Sequence, residues 1–101
     1  MKVRNAEPKD IPPLEAVINQ HWKLNLDHPA ELRNPNSILL VAEEVVREIP
    51  RIVGTALMWV TTWNKTGYLV ELAVDREYQK RGIGSQIVDE LSCLKVRIVL
   101  K

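Results

Sequence analysis

The sequence predicts a single α+β domain, residues 1–101, with a central, mostly antiparallel sheet and the element order β-α-α-β-β-β-α-β. Three observations support this prediction. The chain has 101 residues, the size of one domain, and 46% of them are hydrophobic. Its middle part consists of β-rich runs separated by turn signals. Apolar residues at helical spacing lie on both sides of that part.

The N-terminal third predicts one short strand and two helices. Residues 3–6 are β-compatible and predict the first strand. Asp10 is the expected N-cap of the first helix, because its carboxylate can accept from first-turn amides, and the prolines at 12 and 13 are tolerated in such a turn. Apolar residues three or four positions apart form the buried face of this helix: Leu14, Val17, Ile18 and Trp22. Pro29 interrupts the pattern and leaves a short second helix at residues 30–33.

Three β-rich segments then predict an antiparallel meander. The first covers residues 38–46, and residues 47–51 are expected to separate it from the second, at 52–62. A hairpin turn at 64–67, with Gly67 at positive φ, leads into the third strand at 68–74. Strict alternation along that strand places one set of side chains on one face, Val70, Leu72 and Val74, and another set on the opposite face, Leu69, Glu71 and Ala73.

The C-terminal quarter predicts a third helix followed by a last strand. The helix face consists of apolar residues at spacings of one, three and four: Ile83, Ile87, Val88, Leu91 and Leu94. Residues 96–100 alternate and are β-branched, so they predict a strand. This strand completes a β-α-β crossover from the third meander strand.

Charge, cysteine content and hydropathy argue against several classes of function. The 14 basic and 13 acidic residues give a formal net charge of +1, which argues against a general nucleic-acid binder, whose affinity rests on many phosphate contacts. The single cysteine, Cys93, excludes an intramolecular disulfide and is expected to be a small buried residue. The sequence shows neither a signal peptide nor the roughly 18 apolar residues of a membrane span. A cytoplasmic protein with no membrane partner is therefore expected.

Two histidines raise the question of a metal site. His21 and His28, with Asp27, are seven positions apart across a predicted helix break, and no cysteine or second carboxylate completes a ligand set. The sequence therefore predicts no metal.

The segment from Gln79 to Ser85 carries the clearest chemistry. Gly82 and Gly84 let the backbone approach a ligand closely, and the first amides of the following helix lack internal acceptors at the positive end of the helix dipole. Lys80 and Arg81 add cationic donors. The segment therefore predicts a pyrophosphate site.

Two common nucleotide motifs do not match this segment. A dinucleotide fingerprint G-x-G-x-x-G has its third glycine where Ile87 stands. A Walker loop needs Gly-Lys-Ser/Thr, whereas Gly84 is followed by Ser85 and Gln86.

A longer segment resembles the acetyl-CoA signature of the GNAT superfamily of N-acetyltransferases. That signature is a strand ending in an L-A-V-like triplet, an acidic turn, and Q/R-x-x-G-x-G/A at a helix start. The corresponding segment here is Leu72-Ala73-Val74-Asp75-Arg76-Glu77-Tyr78-Gln79-Lys80-Arg81-Gly82-Ile83-Gly84. The predicted element order is also similar to that family. A further helix and one or two strands follow in typical members, so a C-terminally short form is expected.

The resemblance implies an N-acetyltransferase that moves an acetyl group from acetyl-CoA directly to a primary amine of a small molecule or peptide. It implies that the turn holds the coenzyme A pyrophosphate through Gln79, Lys80, Arg81, Gly82, Ile83, Gly84 and Ser85. It implies that the strand backbone pairs with the pantetheine arm at Leu72, Ala73 and Val74, with an amide near Val74 facing the thioester oxygen. Glu71 occupies the strand position of the family's general base, whereas the family's tyrosine general acid has no matching position.

Two other interpretations stay open at this point. The chain could be a non-catalytic acyl-CoA-binding module, or a small interaction protein that uses its last strand. An apolar, unpaired edge at residues 96–100 predicts a homodimer through that strand. The sequence contains no motif for the acceptor, although its three tryptophans are expected in the core or in the acceptor-site walls: Trp22, Trp59 and Trp63.

Overall fold

The computed structural model describes residues 1–94 and 96–100, and within that range it contains five strands and three α-helices. In chain order they are β1 (Lys2–Asn5), α1 (Ile11–Asn19), α2 (His28–Arg33), β2 (Ser37–Val46), β3 (Ile49–Thr61), β4 (Thr66–Val74), α3 (Ile83–Ser92) and β5 (Arg97–Leu100). The predicted α+β class and element order are confirmed. None of the helices within the described residues is long and apolar enough to cross a membrane.

The strands form one sheet in the order β1-β2-β3-β4-β5. The pairs β1–β2, β2–β3 and β3–β4 are antiparallel, and β5 is parallel to β4. Helix α3 is the crossover that joins β4 to β5. The mostly antiparallel sheet is therefore as predicted.

Helices cover both faces of the sheet. On one face lies the α1-side cluster, which includes Leu14 and Ile18 packed with Leu57 of β3. On the other face lies the α3-side cluster, which includes Ile87 with Met58 of β3. Burial of apolar area on both faces is the main stabilising contribution to this fold.

Two residues assigned to the buried helix faces are exposed instead. Trp22 is 40% exposed and Leu94 is 46% exposed. Helix α1 ends at Asn19 and α3 ends at Ser92, so helical spacing no longer directs these two side chains toward the sheet. Cys93 is also exposed, so its expected burial is wrong.

Asp10 occupies the N-cap position of α1, but its carboxylate does not cap the helix. An N-cap side chain accepts from the second or third helical amide, and here those positions are Pro12 and Pro13, which have no N–H. The carboxylate instead accepts from the Arg4 guanidinium at 2.7 and 3.0 Å and from the Glu7 amide at 2.8 Å. It therefore joins β1 to the start of α1.

The β2–β3 connection is tighter than predicted. Residues 47–51 do not separate the strands, because β3 already begins at Ile49 and Val46 is paired with it. Arg47 and Glu48 form a two-residue turn with φ of 52° and 68°, the left-handed backbone of a type I′ hairpin.

Gly67 is needed for space rather than for a positive φ. The left-handed residue in the β3–β4 turn is Lys65, with φ of 50°. A Cβ on Gly67 would lie 2.5 Å from the sulfur of buried Met58. The expected positive φ at Gly67 is therefore wrong, and close packing explains the glycine.

A β-bulge interrupts β4 at Val70. Glu71 lies opposite Leu57, while Leu69 lies opposite Met58, so Val70 has no partner position of its own on β3. The extra residue breaks the strict alternation that the sequence predicts for this strand.

The bulge moves two side chains to the faces opposite to those predicted. Val70 packs against the α1-side cluster, to which Ala73 belongs. Leu69 belongs to the α3-side cluster, against which Leu72 and Val74 also pack. Side chains of a strand alternate between the two faces of the sheet. One extra residue therefore exchanges the faces of all the side chains on one side of the bulge relative to those on the other side.

Candidate functional site

The two halves of β4 differ in how they are paired. In the described residues, β5 ends at Leu100 and pairs with Thr66 to Leu69 of β4. Beyond Leu69, residues 71–74 of β4 pair with β3 alone among the strands in the described part of the chain, and Val70 is the bulge residue. This half of β4, called the open half below, has backbone groups along one edge that another extended chain could pair with.

A cavity of about 440 Å³ lies between the open half and the start of α3. It is lined by nine of the ten residues that the sequence predicts for the cofactor, all except Arg81, together with His21, Trp22 and Tyr78. A second cavity, of about 430 Å³, shares Leu72, Gly84 and Ser85 with the first. The cleft therefore continues along the first turn of α3.

The backbone of the glycine turn leaves helix amides uncapped. Lys80 and Gly82 both have left-handed backbone, with φ of 64° and 78°. Gly82 is the N-cap of α3, and no side chain caps the helix there. The first amides of a helix have no intrahelical acceptor, so this turn is suited to bind an anion.

Gly84 is a glycine that the fold itself does not require. A Cβ at this position would meet only Val74 Cγ2, at 3.8 Å, which is an ordinary van der Waals contact. Its φ is not left-handed, in contrast to that of Gly82. The free space in front of Gly84, beside uncapped amides and the Lys80 side chain, fits a phosphate-bearing ligand.

Arg81 differs from Lys80 in position. Its guanidinium carbon lies 4.9 Å from the centre of the Tyr78 ring, which is a cation–π distance, and Arg81 does not line the cavity. Tyr78 itself is 9% exposed and packs in the α3-side cluster. Tyr78 could not be recognised as a cavity residue from its sequence, since only the folded turn shows that it lies under the arginine and lines the cavity.

The acidic turn before the glycines is held in place by Asp75. Its carboxylate accepts from the Glu77 amide at 2.9 Å, from Gln20 Nε2 at 3.1 Å and from Arg51 at 3.3 Å. Burial acts to raise the pKa of Asp75, but these hydrogen bonds and the Arg51 charge outweigh it and lower the pKa below its ordinary value. The bond from Gln20 fixes the turn relative to the end of α1.

His21 was one of the two histidines considered as metal ligands. Its Nε2 lies 2.7 Å from the Val74 carbonyl oxygen. Because a carbonyl oxygen only accepts, Nε2 is the protonated ring nitrogen. Its role is therefore to join the end of α1 to the open half of β4.

A third cavity, of about 310 Å³, lies on the α1 side of the open half. It is lined by Trp22, Asn25, Leu26, Trp59, Val70 and Glu71. Trp22 also lines the 440 Å³ cavity, so the two adjoin at this side chain. Trp22 and Trp59 are therefore cavity walls, whereas Trp63 is 85% exposed and lies in neither the core nor a cavity wall.

Glu71 is buried at the edge of this third cavity and is 6% exposed. Its Oε1 lies 2.8 Å from His28 Nε2. Its Oε2 is buried and has no hydrogen-bond partner among the described residues. A buried carboxylate oxygen without a partner is costly, so Oε2 is a candidate acceptor for a hydrogen bond from a ligand.

His28 is fully buried, which its position in the sequence, beside Asp27 and Pro29, does not predict. The hydrogen bond to Glu71 raises the pKa of His28, burial opposes that effect, and the bond to Glu15 adds to it, so the pKa lies above its ordinary value of 6.5. Within residues 1–94 and 96–100, no group of three or more His, Cys, Asp or Glu is placed to hold a metal ion.

Comparison with known proteins agrees with this geometry. The model of the acetyltransferase (GNAT) family matches residues 4–92. The fold is similar to that of a mutant of the BH1408 protein from Bacillus halodurans, with a TM-score of 0.81 and 21% identity over 100% of this chain and 82% of that one. No curated protein sequence matches significantly.

Two further solved structures have a similar fold. Glucosamine-6-phosphate N-acetyltransferase from Arabidopsis thaliana has a TM-score of 0.77 and 17% identity over 99% of this chain and 80% of that one. Rv2747 from Mycobacterium tuberculosis, crystallised with coenzyme A, has a TM-score of 0.75 and 23% identity over 93% of this chain and 57% of that one.

The family match extends over most of the chain and includes the open half of β4 and the glycine turn. The resemblance found in residues 72–84 is thereby confirmed. The chain belongs to the GNAT family of acetyltransferases.

Proposed function

We propose that residues 1–101 form one N-acetyltransferase domain that transfers the acetyl group of acetyl-CoA directly to a primary amine of a small molecule or peptide. The observation that carries this proposal is the open half of β4. On one side it lines a cleft with uncapped helix amides, and on the other it presents a buried, partly unpaired carboxylate. The proposed anion site and the candidate base thus lie on the two sides of one short segment.

The proposed cofactor site uses the glycine turn and the edge of β4. The amides from Arg81 to Ser85, with Lys80 and Gln79 beside them, would hold the pyrophosphate. The backbone of residues 72–74 would pair with the pantetheine arm, because that edge has no strand partner in the described range. Bound there, the cofactor supplies an acetyl group activated as a thioester.

The proposed acceptor site is the 310 Å³ cavity. Glu71 is the general base, and its Oε2 takes a proton from the acceptor ammonium so that the amine lone pair becomes free. An amide near Val74 is the proposed donor to the thioester oxygen. Such a base contributes typically about 10²–10⁴-fold in rate, whereas holding two reactants in place can contribute roughly 7–11 kcal/mol.

The test begins with calorimetry and then measures turnover. Coenzyme A is titrated into the protein, and thiol release from acetyl-CoA is followed with 2-phenylethylamine, spermidine and a short peptide with a free N-terminus. We expect saturable binding of coenzyme A, and thiol release with at least one amine that falls about 10²-fold or more in Glu71→Gln. Absence of coenzyme A binding at millimolar concentration would overturn the proposal. Binding without thiol release would favour a non-catalytic acyl-CoA-binding module.

We also propose a homodimer formed through β5. This strand is at the end of the sheet, its outer edge has no partner in the part of the chain that the structure describes, and Ile98 packs against the α3-side cluster. An apolar strand edge of this kind pairs readily with a second copy. Sedimentation velocity from micromolar to hundreds of micromolar is expected to show a dimer, and a monomer at every concentration would contradict this proposal.

A cytoplasmic location is the last part of the proposal. The thiol of Cys93 is exposed and unpaired, which suits a reducing compartment. Cell fractionation is expected to recover the protein with cytoplasmic markers, and recovery from the medium or from an oxidising compartment would contradict this.

A further inference from the structure

A buried histidine connects two carboxylates from different elements of the fold. His28, the first residue of α2, is completely buried. Its Nδ1 lies 3.0 Å from Glu15 Oε2 on α1, and its Nε2 lies 2.8 Å from Glu71 Oε1 on β4. The proposed transfer reaction, as described above, does not use His28 or Glu15.

The contacts favour one form of the histidine ring. An ionised carboxylate only accepts hydrogen bonds, and only the imidazolium form donates from both ring nitrogens. Glu71 and Glu15 are the charged groups that act on His28 in the described residues, and both favour the cation. The raised pKa of His28 agrees with this geometry.

The two oxygens of Glu71 are therefore not equivalent. Oε1 is engaged by His28, whereas Oε2 is buried without a partner and Glu71 lines the cavity between Trp22 and Trp59. A carboxylate held through one oxygen has a fixed orientation, so the other oxygen is presented at a fixed place.

We propose that His28 is a positioning residue, and that Glu15 and His28 together hold Glu71 so that its Oε2 receives the proton of the acceptor ammonium. This inference rests on the proposed function. In the step concerned, the ammonium N–H bond breaks, an O–H bond forms on Oε2, and the electron pair of the broken bond stays on the nitrogen. The imidazolium keeps both of its protons throughout.

Glu15 has a distinct part in this arrangement. Its side chain is 29% exposed, so it connects the buried pair to solvent. Two carboxylates and one imidazolium carry a net charge of −1, and that charge favours a cationic acceptor in the adjoining cavity. The acceptor amine therefore enters as its ammonium ion.

A merely structural role for His28 is the competing explanation. His28 also ties α2 to the sheet, so its replacement will lower stability whatever its part in transfer. The variant Asp10→Asn provides a matched control, because it breaks the Arg4–Asp10 pair at 2.7 Å without touching the Glu15–His28–Glu71 group. Glu15→Gln provides a second variant that keeps the buried ring in place.

The experiment combines ring ¹⁵N NMR with kinetics. In the wild type at pH 7.5 we expect both ring nitrogens of His28 to be protonated, and in Glu15→Gln the ring titrates at a lower pH. With the amine that gives the fastest thiol release, we expect kcat to fall about 10²-fold in His28→Gln and less in Glu15→Gln. The KM for acetyl-CoA and the calorimetric affinity for coenzyme A stay at wild-type values, and Asp10→Asn keeps the wild-type kcat.

Two results would overturn the inference. One is a neutral His28 ring at pH 7.5 in the folded wild type. The other is a kcat of His28→Gln equal to that of Asp10→Asn while Glu71→Gln is impaired. Failure of coenzyme A to bind would instead overturn the proposed function, and the NMR result would still report the charge of the ring.

Discussion

The two halves of β4 belong to one strand but differ in their pairing and in their surroundings. Residues 66–69 are paired on both edges, with β3 and β5, and contribute to the core. Beyond the bulge, the open half pairs on one edge in the described part of the chain and lines two cavities. Each half has a glycine associated with it, Gly67 within the paired half and Gly84 facing the open half.

One extra residue changes which side chains of β4 face each side of the sheet. Without the bulge at Val70, strict alternation would place Val70 with Leu72 on the α3 side and would turn Leu69 to the α1 side. With the bulge, Leu69 faces the α3 side and Val70 the α1 side, next to the carboxylate of Glu71. Bulges re-aim side chains in this way and are common next to active sites.

The largest expected effect is on ligand binding at Gly84. In Gly84→Asp a carboxylate would occupy the space proposed for phosphate, and like charges at short range repel strongly. We expect the affinity for coenzyme A, measured by calorimetry, to fall at least about 100-fold, or about 3 kcal/mol.

The matched control for this change is Gly84→Ala. Its Cβ has room in the fold, so we expect unchanged stability, or a gain of up to about 1 kcal/mol from helix propensity. Wild-type affinity in Gly84→Asp would show that the anion site lies elsewhere.

The second largest expected effect is a loss of stability when Gly67, in the paired half of β4, is replaced. A methyl group at Gly67 would lie 2.5 Å from the sulfur and 3.0 Å from the methyl carbon of Met58, which is fully buried. We expect Gly67→Ala to lower the free energy of unfolding by about 1–3 kcal/mol, as overpacking does, in urea titrations. The folded fraction should bind coenzyme A normally. A variant as stable as the wild type would contradict the packing explanation of this glycine.

The pH dependence of stability should be the third largest effect, because it involves one proton and its slope is at most about 1.4 kcal/mol per pH unit. The pKa of His28 is raised by folding, so its stabilising contribution is complete below pH 6.5 and is lost as pH rises through the folded-state pKa. Urea titrations from pH 6 to pH 9 should show declining stability in the wild type and a flatter profile in His28→Gln.

Asp10→Asn should behave in the opposite way to His28→Gln. The Arg4 guanidinium lowers the pKa of Asp10, so the contribution of Asp10 is present above about pH 3.8 and is lost as pH falls further. In Asp10→Asn, the free energy of unfolding should therefore still decline from pH 6 to pH 9, as in the wild type. Its decline at acidic pH should be smaller than in the wild type. If stability declined equally with rising pH in His28→Gln and in the wild type, the decline would belong to a group other than His28.

The smallest expected effect distinguishes two neighbouring cations. Lys80 lines the cleft, whereas the Arg81 guanidinium lies over the Tyr78 ring. Lys80→Ala should weaken coenzyme A binding several-fold, about 1 kcal/mol or less, since exposed ion pairs are weak and screened by salt. Arg81→Ala should lower the affinity for coenzyme A less than Lys80→Ala does in the same titration. A larger loss of affinity in Arg81→Ala would contradict the assignment of Lys80 as the cation that faces the ligand.

Local chemistry made much of the fold and part of the site predictable. The spacing at Leu14 and Ile87 predicts helix faces because helical periodicity does not depend on what lies opposite. The glycine turn is likewise readable, since missing Cβ atoms and uncapped amides are properties of a few consecutive residues. The predicted cofactor residues, apart from Arg81, consequently lie along one cavity.

Other predictions failed because they depended on partners far away in the chain. Asp10 does not cap its helix, since two prolines remove the donors and Arg4 supplies stronger ones. Position 67 needs a glycine because Met58 packs against it. Trp63 is exposed, although a tryptophan was expected in the core or in a wall of the acceptor site.

By itself, the sequence determined the element order, the two helix faces and the chemistry of the glycine turn, because these follow from spacing and from backbone freedom within short segments. The tertiary structure decided the bulge at Val70, the Glu15–His28–Glu71 group and the position of Trp22 between two cavities. Those features arise only when strands pair and when side chains 13 and 43 positions apart meet in the folded chain.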